Sequence, residues 1–275
     1  MTPVAINYHL LKPCNARCSF CFATFRDVHG QLAAEDAREL ITKLKEAGGE
    51  KLTFAGGEPT LHPDLGALVR HAKDVGFVTC VVTNGFRLDR LLDDHADALD
   101  WVALSVDSGD EATQAGLGRG RGDHVARAIA YADRCHALGV RVKLNSVVTA
   151  ATWWEDMTGL VRRVRPARWK VFQVLPIGGQ NDGSVEDLLI TEGQFRAFVE
   201  RHAHLAPEGL APVVENNDAM RGSYVMVDPL GRFYGNATGR HVYSDSILRV
   251  GVDAALAQVG FEPAKFDARG GRYAW

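Results

Sequence analysis

Three cysteines stand close together near the start of the chain, in the pattern Cys14-x-x-x-Cys18-x-x-Cys21. Thiolate is the ligand that iron–sulfur clusters take from proteins, and three thiolates on one loop can bind three irons of a 4Fe–4S cluster. The fourth iron would then be open to an external ligand. Because an electron-transfer cluster would normally have four cysteines, the spacing predicts a cluster that takes part in chemistry.

A structural zinc site is the alternative interpretation of the same motif. Such a site needs four ligands, and His9 or His29 is the available fourth. The remaining cysteines, Cys80 and Cys135, fall in an apolar strand and on an apolar helix face, which predicts core positions. The odd number of five cysteines makes a disulfide framework a poor interpretation.

A second segment, Gly56-Gly57-Glu58-Pro59, also has residues suited to binding. Glycine lets a backbone carbonyl approach a ligand closely, since it has no side chain to keep the ligand away. Glu58 supplies an anion that can meet an ammonium group. By itself this motif is only weakly specific for a binding site. Its position after the cysteine motif strengthens the prediction.

The elements that must position these motifs alternate between strand-like and helix-like stretches. Strands are predicted over 4–10, 51–55, 77–83, 101–107, 140–148 and 168–175. Helices are predicted over 33–47, 64–75, 87–98, 123–138, 153–164 and 191–203. Six strand-then-helix units in a row predict an α/β fold with parallel strands and right-handed crossovers. A doubly wound sheet and a barrel both satisfy this pattern.

The remaining residues, 205–275, break the alternation. They predict a strand pair over 222–235 that turns at 228–231, a helix over 252–259 and a glycine-rich end.

Three of the predicted strands carry polar residues two positions apart. The pairs are Ser105 with Asp107, Lys143 with Asn145, and Arg168 with Lys170. Residues two apart on a strand share a face, and a parallel strand buried on both faces should be apolar. Three strands with the same feature predict an interior lined for a ligand.

Composition excludes several classes of protein. The 275 residues are 46% hydrophobic with a net charge of −3, so neither wholesale disorder nor a nucleic-acid-binding coat is expected. No apolar run approaches the roughly 20 residues of a membrane span, and the start lacks the features of a secretory signal. We therefore expect no membrane partner and a cytoplasmic location.

The cysteine motif after the first strand and the Gly-Gly-Glu-Pro segment after the second resemble the radical S-adenosylmethionine (SAM) superfamily. The resemblance implies a partial (β/α)6 TIM-like barrel with a C-terminal extension. Residues 1–204 would form the barrel with the cluster and SAM sites, and residues 205–275 would close the nucleotide site. In this superfamily the open iron binds SAM, whose reductive cleavage gives a 5′-deoxyadenosyl radical.

A narrower resemblance covers nearly the whole chain. Segments such as NYHLLKPCNARCSFCFAT, EKLTFAGGEPTL, GRGRGDHV, RWKVFQVLPIGGQN and RGGRYAW, in this order, resemble the microbial members of the viperin-type nucleotide dehydratases. This resemblance implies removal of the 4′ hydrogen of a nucleoside triphosphate, loss of the 3′ hydroxyl as water, and a chain-terminating 3′-deoxy-3′,4′-didehydro product. It also implies a role in antiviral defence.

Residue roles follow from the resemblance. Cys14, Cys18 and Cys21 would bind the cluster, and SAM would contact Phe20, Gly56, Gly57, Glu58, Ser105, Arg119 and Asn145. The triphosphate would meet Lys51, Lys143, Arg168 and Lys170, with Arg269 and Arg272 of the glycine-rich end folding over it. Tyr224 would donate the final proton. An exposed loop position for Arg119, a core position for Tyr224 and a frayed C-terminus are the structural alternatives.

The partners implied are CTP, GTP, UTP or ATP as substrate and a flavodoxin or ferredoxin as electron donor, acting on a monomer. Other functions stay open. One is a different radical SAM reaction, such as a nucleotide cyclase or a peptide-modifying enzyme. Another, of a different class, is a nucleotide-binding regulator with a structural zinc.

Overall fold

The computed structural model describes residues 4–275 of the chain. Its strands are β1 (Ala5–His9), β2 (Lys51–Ala55), β3 (Val78–Thr83), β4 (Trp101–Ser105), β5 (Arg141–Val148), β6 (Arg168–Gln173), β7 (Pro212–Glu215), β8 (Val225–Val227), β9 (Arg232–Gly235) and β10 (Val242–Ser246). Its helices are α1 (Ala34–Glu46), α2 (Leu65–Asp74), α3 (Asp89–His95), α4 (Glu111–Gly116), α5 (His124–Ala137), α6 (Thr158–Val164), α7 (Glu192–Arg201), α8 (Asn217–Met220), α9 (Ile247–Val250), α10 (Val252–Leu256) and α11 (Pro263–Ala268).

All ten strands belong to one sheet, in the order β10-β9-β8-β1-β2-β3-β4-β5-β6-β7. Strands β1 to β6 lie in chain order and pair in parallel. A doubly wound sheet would reverse its strand order at one point, and these strands do not. The structure therefore confirms the partial barrel, whose sheet ends at β10 and β7 without closing.

The amphipathic helices form as the apolar spacing predicts. In α1 the buried residues are Ala37, Leu40, Ile41 and Leu44, which face the sheet as one stripe. Cys80 and Cys135 are buried in the core, as predicted. Both thus pack as small apolar residues instead of serving as ligands.

The register of the sheet aligns the polar residues that share the inner face. Ser105 on β4 stands opposite Asn145 on β5, and Asn145 stands opposite Lys170 on β6. Lys143 stands opposite Arg168 in the same way. The polar pairs found on separate strands therefore form continuous rows across the barrel.

Some helix boundaries differ from the predictions. Helix α6 begins at Thr158 instead of 153, because Thr152 bonds back to Thr149 in a turn. Helix α4 was not predicted at all. Its signal is Asp110, which caps the helix by accepting a hydrogen bond from the backbone of Thr113 at 2.7 Å.

The predicted strand pair is present as β8 and β9, with a turn closed by a hydrogen bond from Gly231 to Asp228. The predicted helix over 252–259 ends earlier, at Leu256. Strands β7 and β10 and helices α8, α9 and α11 were missed, because elements of four to six residues have little periodicity to detect.

The C-terminal region joins both edges of the sheet. Strand β7 pairs in parallel with β6, while β8 pairs in parallel with β1. The division between residues 1–204 and 205–275 stays a prediction. What the structure shows is that strands from both stretches share one sheet. Within residues 4–275, no helix has the length and apolar character to span a membrane.

Asp228 stabilises the β8–β9 turn, and we expect its loss to destabilise the fold. Its buried carboxylate accepts hydrogen bonds from the backbones of Leu230 and Arg232 and from the Arg232 guanidinium. Asp228→Ala leaves these donors unsatisfied and should lower the free energy of unfolding by about 2–3 kcal/mol. Asp245→Ala, which removes an exposed ion pair with Arg249, should cost less than about 1 kcal/mol. Urea unfolding measures both, and equal losses would contradict the role given to Asp228.

Candidate active site

The cysteine loop follows β1 and is fixed by backbone hydrogen bonds to the segment after α4. Arg17 donates to the carbonyl of Gly118 at 2.9 Å, and Ser19 donates to that of Leu117 at 3.2 Å. A turn from Cys18 to Cys21 is closed by a 3.1 Å backbone bond. Within residues 4–275, none of the three cysteines takes part in a disulfide.

The same loop packs directly on the Gly-Gly-Glu segment after β2. The Gly57 backbone donates to Leu11 at 2.7 Å, and a Cβ at Gly57 would lie only 2.1 Å from the carbonyl oxygen of Pro13. A Cβ at Gly56 would likewise lie 2.8 Å from the Leu11 carbonyl oxygen. The glycines thus permit two backbones to touch, a structural reason that adds to the predicted approach of a ligand.

Hydrogen-bond donors near the sulfur atoms suit thiolates that bind a cluster. The backbone of Ala16 and the side-chain amide of Asn84 point donors at the sulfur of Cys14, at 3.4 and 3.8 Å. Burial raises the pKa of Cys18 to about 12 and also raises that of Cys21, while Arg119 opposes the rise at both. Metal ligation requires the thiolate, so bound iron would have to supply the remaining stabilisation.

The donor set does not fit a single zinc ion. Across residues 4–275, no three His, Cys, Asp or Glu side chains converge as ligands of one ion would. His9 lies instead between the rings of Phe25 and Tyr234, at 5.3 and 5.5 Å, and burial lowers its pKa to about 3. In a 4Fe–4S cluster each cysteine binds a different iron, so the sulfurs stand further apart than around one ion. The three cysteines therefore fit the cluster better than the Cys3His zinc site.

Glu58 is buried, and its carboxylate accepts several hydrogen bonds from within the protein. One oxygen accepts from the backbone and hydroxyl of Thr60 and from the hydroxyl of Thr83 at 2.6 Å. The other accepts from the backbone of Asn84 at 2.8 Å. A carboxylate has about four acceptor positions, so the second oxygen alone has room for an ammonium group. The contact to SAM stays a prediction, whereas the link between the second and third strand ends is observed.

Arg119 is buried and does not occupy the exposed loop position that was the alternative. Its Nε donates to a carboxylate oxygen of Asp107 at 2.5 Å, and its guanidinium lies 5.6 Å from the centre of the Phe20 ring. Phe20 itself packs with apolar neighbours of the cysteine loop. Because Nε alone meets Asp107, the terminal nitrogens of Arg119 can still fork onto a ligand carboxylate.

Asn145 carries a polar atom that the protein leaves without a partner. Its side-chain oxygen is buried and accepts no hydrogen bond within residues 4–275. Its register partner, Ser105, lies at the end of β4, on the side of the cysteine loop. A buried acceptor without a donor is costly, and the predicted contact of Asn145 with SAM would satisfy this one.

A group of cations lies at the opposite, amino-terminal ends of the strands. The ammonium groups of Lys51 on β2 and Lys143 on β5 both donate to the hydroxyl of Tyr273 in the C-terminal tail. The guanidinium of Arg168 lies 4.1 Å from the centre of the same ring. Burial lowers the pKa of both lysines. Lys51, at the first position of β2, is thus a member of the same group as Lys143 and Arg168.

A second polar group surrounds Tyr224. Its hydroxyl donates to the buried carboxylate of Glu215 and accepts from the ammonium of Lys170 at 2.8 Å. Lys170 and Arg269 also form ion pairs with Glu215, at 2.6 and 3.2 Å. Burial lowers the pKa of Lys170 to about 8, with Glu215 opposing the shift, and burial raises that of Tyr224 well above its usual value.

One predicted residue lies apart from these groups. The Arg272 side chain is more than half exposed and contacts Asp267 at 3.3 Å and Glu50 at 4.0 Å. It therefore does not join the cations around Tyr273, although it directly follows Gly271 and is three residues from Arg269 in the predicted closing segment. Gly270 does reach the group, because its carbonyl accepts from Arg168 at 2.8 Å.

Three residues of the site were not predicted from the sequence. Asp107 shares a strand face with Ser105, so its place was visible but its bond to Arg119 was not. Glu215 lies at the end of β7, a strand outside the six predicted units. Tyr273 belongs to the RGGRYAW segment, but no role was predicted for it. The latter two are recognisable only once the strands and the tail are placed in three dimensions.

Comparison with known proteins agrees with this arrangement. A family model described as the radical SAM superfamily matches residues 10–164. An "S-adenosylmethionine-dependent nucleotide dehydratase" of Flammeovirga pacifica is 42% identical, with 98% of this chain and 96% of that protein covered. One of the same name from Lacinutrix mariniflava is also 42% identical over 98% of this chain, which spans only 58% of its length. The "S-adenosylmethionine-dependent nucleotide dehydratase RSAD2" of Siniperca chuatsi is 38% identical over 100% of this chain and 80% of its own.

A solved structure supports the fold. SuiB of Streptococcus suis, in a crystal structure with bound S-adenosylmethionine, has a TM-score of 0.68 and 17% identity, with 84% of this chain and 59% of that chain covered. At that identity the likeness concerns the fold alone. The sequence identity of 38–42% with the relatives, over nearly the full chain, establishes the family. The chain belongs to the radical SAM superfamily and, within it, to the family of S-adenosylmethionine-dependent nucleotide dehydratases.

Proposed function

We propose that this chain is a radical SAM dehydratase of nucleoside triphosphates. A nucleoside triphosphate, one 5′-deoxyadenosyl radical, one electron and one proton would give 5′-deoxyadenosine, water and the 3′-deoxy-3′,4′-didehydro nucleotide. The observation that carries the proposal is that one barrel has a candidate cluster site at one end and a group of cations at the other. The cysteine loop lies at the carboxyl ends of the strands, and the cations Lys51, Lys143 and Arg168 lie at the amino ends.

The cluster and SAM, when bound, supply the radical that takes the 4′ hydrogen of the ribose. Cys14, Cys18 and Cys21 would hold the cluster. Around it, Arg119 would meet the carboxylate of SAM, while Gly56, Gly57 and Glu58 would meet its amino group. Asn145, with its unpartnered oxygen, and Ser105 would bind further along the same wall.

The triphosphate would lie on the cations at the far end of the barrel. It carries about four negative charges, and ammonium and guanidinium groups are the donors that match phosphate oxygens. Within residues 4–275, neither Lys51 nor Lys143 has an ion-paired carboxylate, and burial lowers the pKa of both, so a bound phosphate would stabilise their charged forms. The ribose would then lie between the two ends, near Asn145 and Lys170.

The group around Tyr224 would handle the final proton. The phenol stays neutral because burial raises its pKa, and its proton is held toward Glu215. Lys170, with a pKa near 8, is mostly protonated at neutral pH and donates to the phenol oxygen. A proton given up by Tyr224 could therefore be replaced from Lys170, as suits a general acid with a pKa near the working pH.

The finer assignments belong to the same proposal. The substrate would be CTP, GTP, UTP or ATP, the electron donor a flavodoxin or ferredoxin, and the enzyme a cytoplasmic monomer. Residues 205–275 would close the nucleotide site over the barrel of residues 1–204. The main alternative, a nucleotide cyclase or peptide-modifying radical SAM enzyme, would use the same cluster with a different product.

The reaction is tested by anaerobic incubation of the reconstituted enzyme with SAM, a reductant and each of the four nucleotides. We expect one nucleotide to raise 5′-deoxyadenosine strongly and to give a product lighter by one water in mass spectrometry. Cys18→Ala should abolish both signals and lower the iron content, whereas Cys135→Ala should retain the iron. Slow, equal SAM cleavage with all four nucleotides would contradict the substrate assignment, and a product of unchanged mass would favour cyclisation.

Loss of a cation inside the barrel should weaken nucleotide binding more than loss of Arg272, which lies outside it. Arg168→Gln removes a charge beside the tail tyrosine and should raise the KM for the nucleotide by about tenfold or more. Arg272→Gln removes an exposed charge and should change KM by less than about twofold. Steady-state rates of 5′-deoxyadenosine formation give both values. Equal effects would show that the tail arginine reaches the substrate after all.

The pH profile should report the proton held by Lys170. Since the protonated form is the acid, product formation should fall as pH rises through about 8. Lys170→Arg keeps the charge and should move this fall to higher pH. Tyr224→Phe should keep SAM cleavage but lower the yield of dehydrated nucleotide per 5′-deoxyadenosine. A fall near pH 8 that persists in Lys170→Arg would assign it to another group.

A further inference from the structure

The exposed arginines differ in whether an acidic residue neutralises them. Most of them form ion pairs, as Arg26, Arg90, Arg162, Arg163, Arg165, Arg196, Arg249 and Arg272 do. Within residues 4–275, four exposed arginines have no hydrogen-bonded or ion-paired acid: Arg17, Arg87, Arg121 and Arg240. An unpaired surface charge is ordinary by itself, so the significance lies in where these four are.

Three of the four belong to the cysteine loop or to the two segments that are hydrogen-bonded to it. Arg17 belongs to the loop, and its backbone bond to Gly118 at 2.9 Å ties it to the segment that carries Arg121. Arg87 follows Asn84, whose amide lies 3.8 Å from the sulfur of the exposed Cys14. We call Arg17, Arg87 and Arg121 the arginine rim.

The acidic residues near the rim are already engaged. Asp123 pairs with Arg127 on the same helix, and Asp182 lies 3.8 Å from Arg26. The rim therefore presents uncompensated positive charge on a chain whose net charge is −3. Complementary charge of this kind governs how quickly and in what orientation a protein partner docks.

We propose that the arginine rim is the docking surface for an acidic protein that carries one electron at a time. The inference rests on the proposed function, in which each turnover takes one electron to cleave SAM and one to complete the dehydration. Electrons must reach the cluster from outside, and Cys14 is its ligand nearest to solvent. An acidic carrier held by the rim would face that ligand.

The test compares two reductants on the full, cluster-loaded enzyme. In the triple variant Arg17→Gln, Arg87→Gln, Arg121→Gln, the flavodoxin concentration for half-maximal rate should rise about tenfold or more. The rate with dithionite, a small reductant that needs no docking, should stay within about twofold. The matched control Arg162→Gln, Arg163→Gln, Arg165→Gln removes three exposed, ion-paired charges and should leave both reductants unaffected.

Several results would overturn the proposal. An unchanged dependence on flavodoxin would show that the carrier docks elsewhere, and equal losses with both reductants would place the arginines in the reaction itself. Binding of an oligonucleotide that the triple variant loses, with unchanged flavodoxin dependence, would assign the rim to nucleic acid. Absence of a dehydrated product from the wild-type enzyme with dithionite would instead refute the proposed function.

A separate observation concerns the hydroxyl of Tyr273. It accepts hydrogen bonds from Lys51 and Lys143 together, and its ring packs against Trp101 and Trp275, at 6.0 and 5.0 Å. A phenol oxygen has two acceptor positions, and both face an ammonium here. The Tyr273 hydroxyl thus occupies a position where the two ammonium groups would bind an anionic oxygen more strongly.

We infer that Tyr273 occupies a phosphate subsite while no nucleotide is bound and that the triphosphate displaces it. This inference rests on the proposed role of Lys51 and Lys143. Its consequence is competition between the tail and the substrate for the same two ammonium groups. Nucleotide affinity would then include the cost of moving the tail.

Binding of inorganic tripolyphosphate, followed by calorimetry on the full chain, tests this without turnover. Tyr273→Phe keeps the ring but removes the competing oxygen, so tripolyphosphate should bind about three- to tenfold more tightly. Tyr243→Phe, a hydroxyl bonded to Asp27 elsewhere, is the matched control and should leave the affinity unchanged. Weaker or unchanged binding in Tyr273→Phe would overturn the inference. No binding by the wild-type or either variant would instead refute the phosphate site itself.

Discussion

The burial of positive charge inside the barrel is the constraint on which the rest of the structure depends. Lys51, Lys143 and Lys170 are taken out of water, and burial of a charge is costly unless it is compensated. The protein compensates Lys170 with the carboxylate of Glu215. For the other two, residues 4–275 supply the hydroxyl of Tyr273 and the faces of aromatic rings but no carboxylate, so a triphosphate would provide the missing negative charge.

The cysteine loop is positioned by backbone contact instead of by charge. The absence of side chains at Gly56 and Gly57 lets the second strand end touch the segment that leads into Cys14. Glu58 then joins the second strand end to the third through Thr83 and Asn84. Buried hydrogen bonds in this way hold one side of the barrel together, which suits a cluster that must not move relative to its ligand.

Binding at both ends of the barrel would control the position at which a radical reacts. A reactive group bound at the carboxyl ends and a triphosphate bound at the amino ends would fix the ribose between them from both sides. Such double anchoring converts binding energy into positioning of the reacting atoms. The row of register partners Ser105, Asn145 and Lys170 crosses the wall of the barrel between these two ends.

The sequence by itself determined the chemistry of the individual residues and the order of the main elements. Cysteine spacing, the glycine pair and the period-two polar residues are local patterns, and six regular strand-then-helix units leave few topologies. Only the tertiary structure decided which of the tail residues meet the barrel. Arg269 does so and Arg272 does not, because the tail has no periodicity and its path depends on contacts with β7 and with the cations. For the same reason Glu215 and Tyr273, distant in sequence from the residues they join, became part of the site only when the chain was folded.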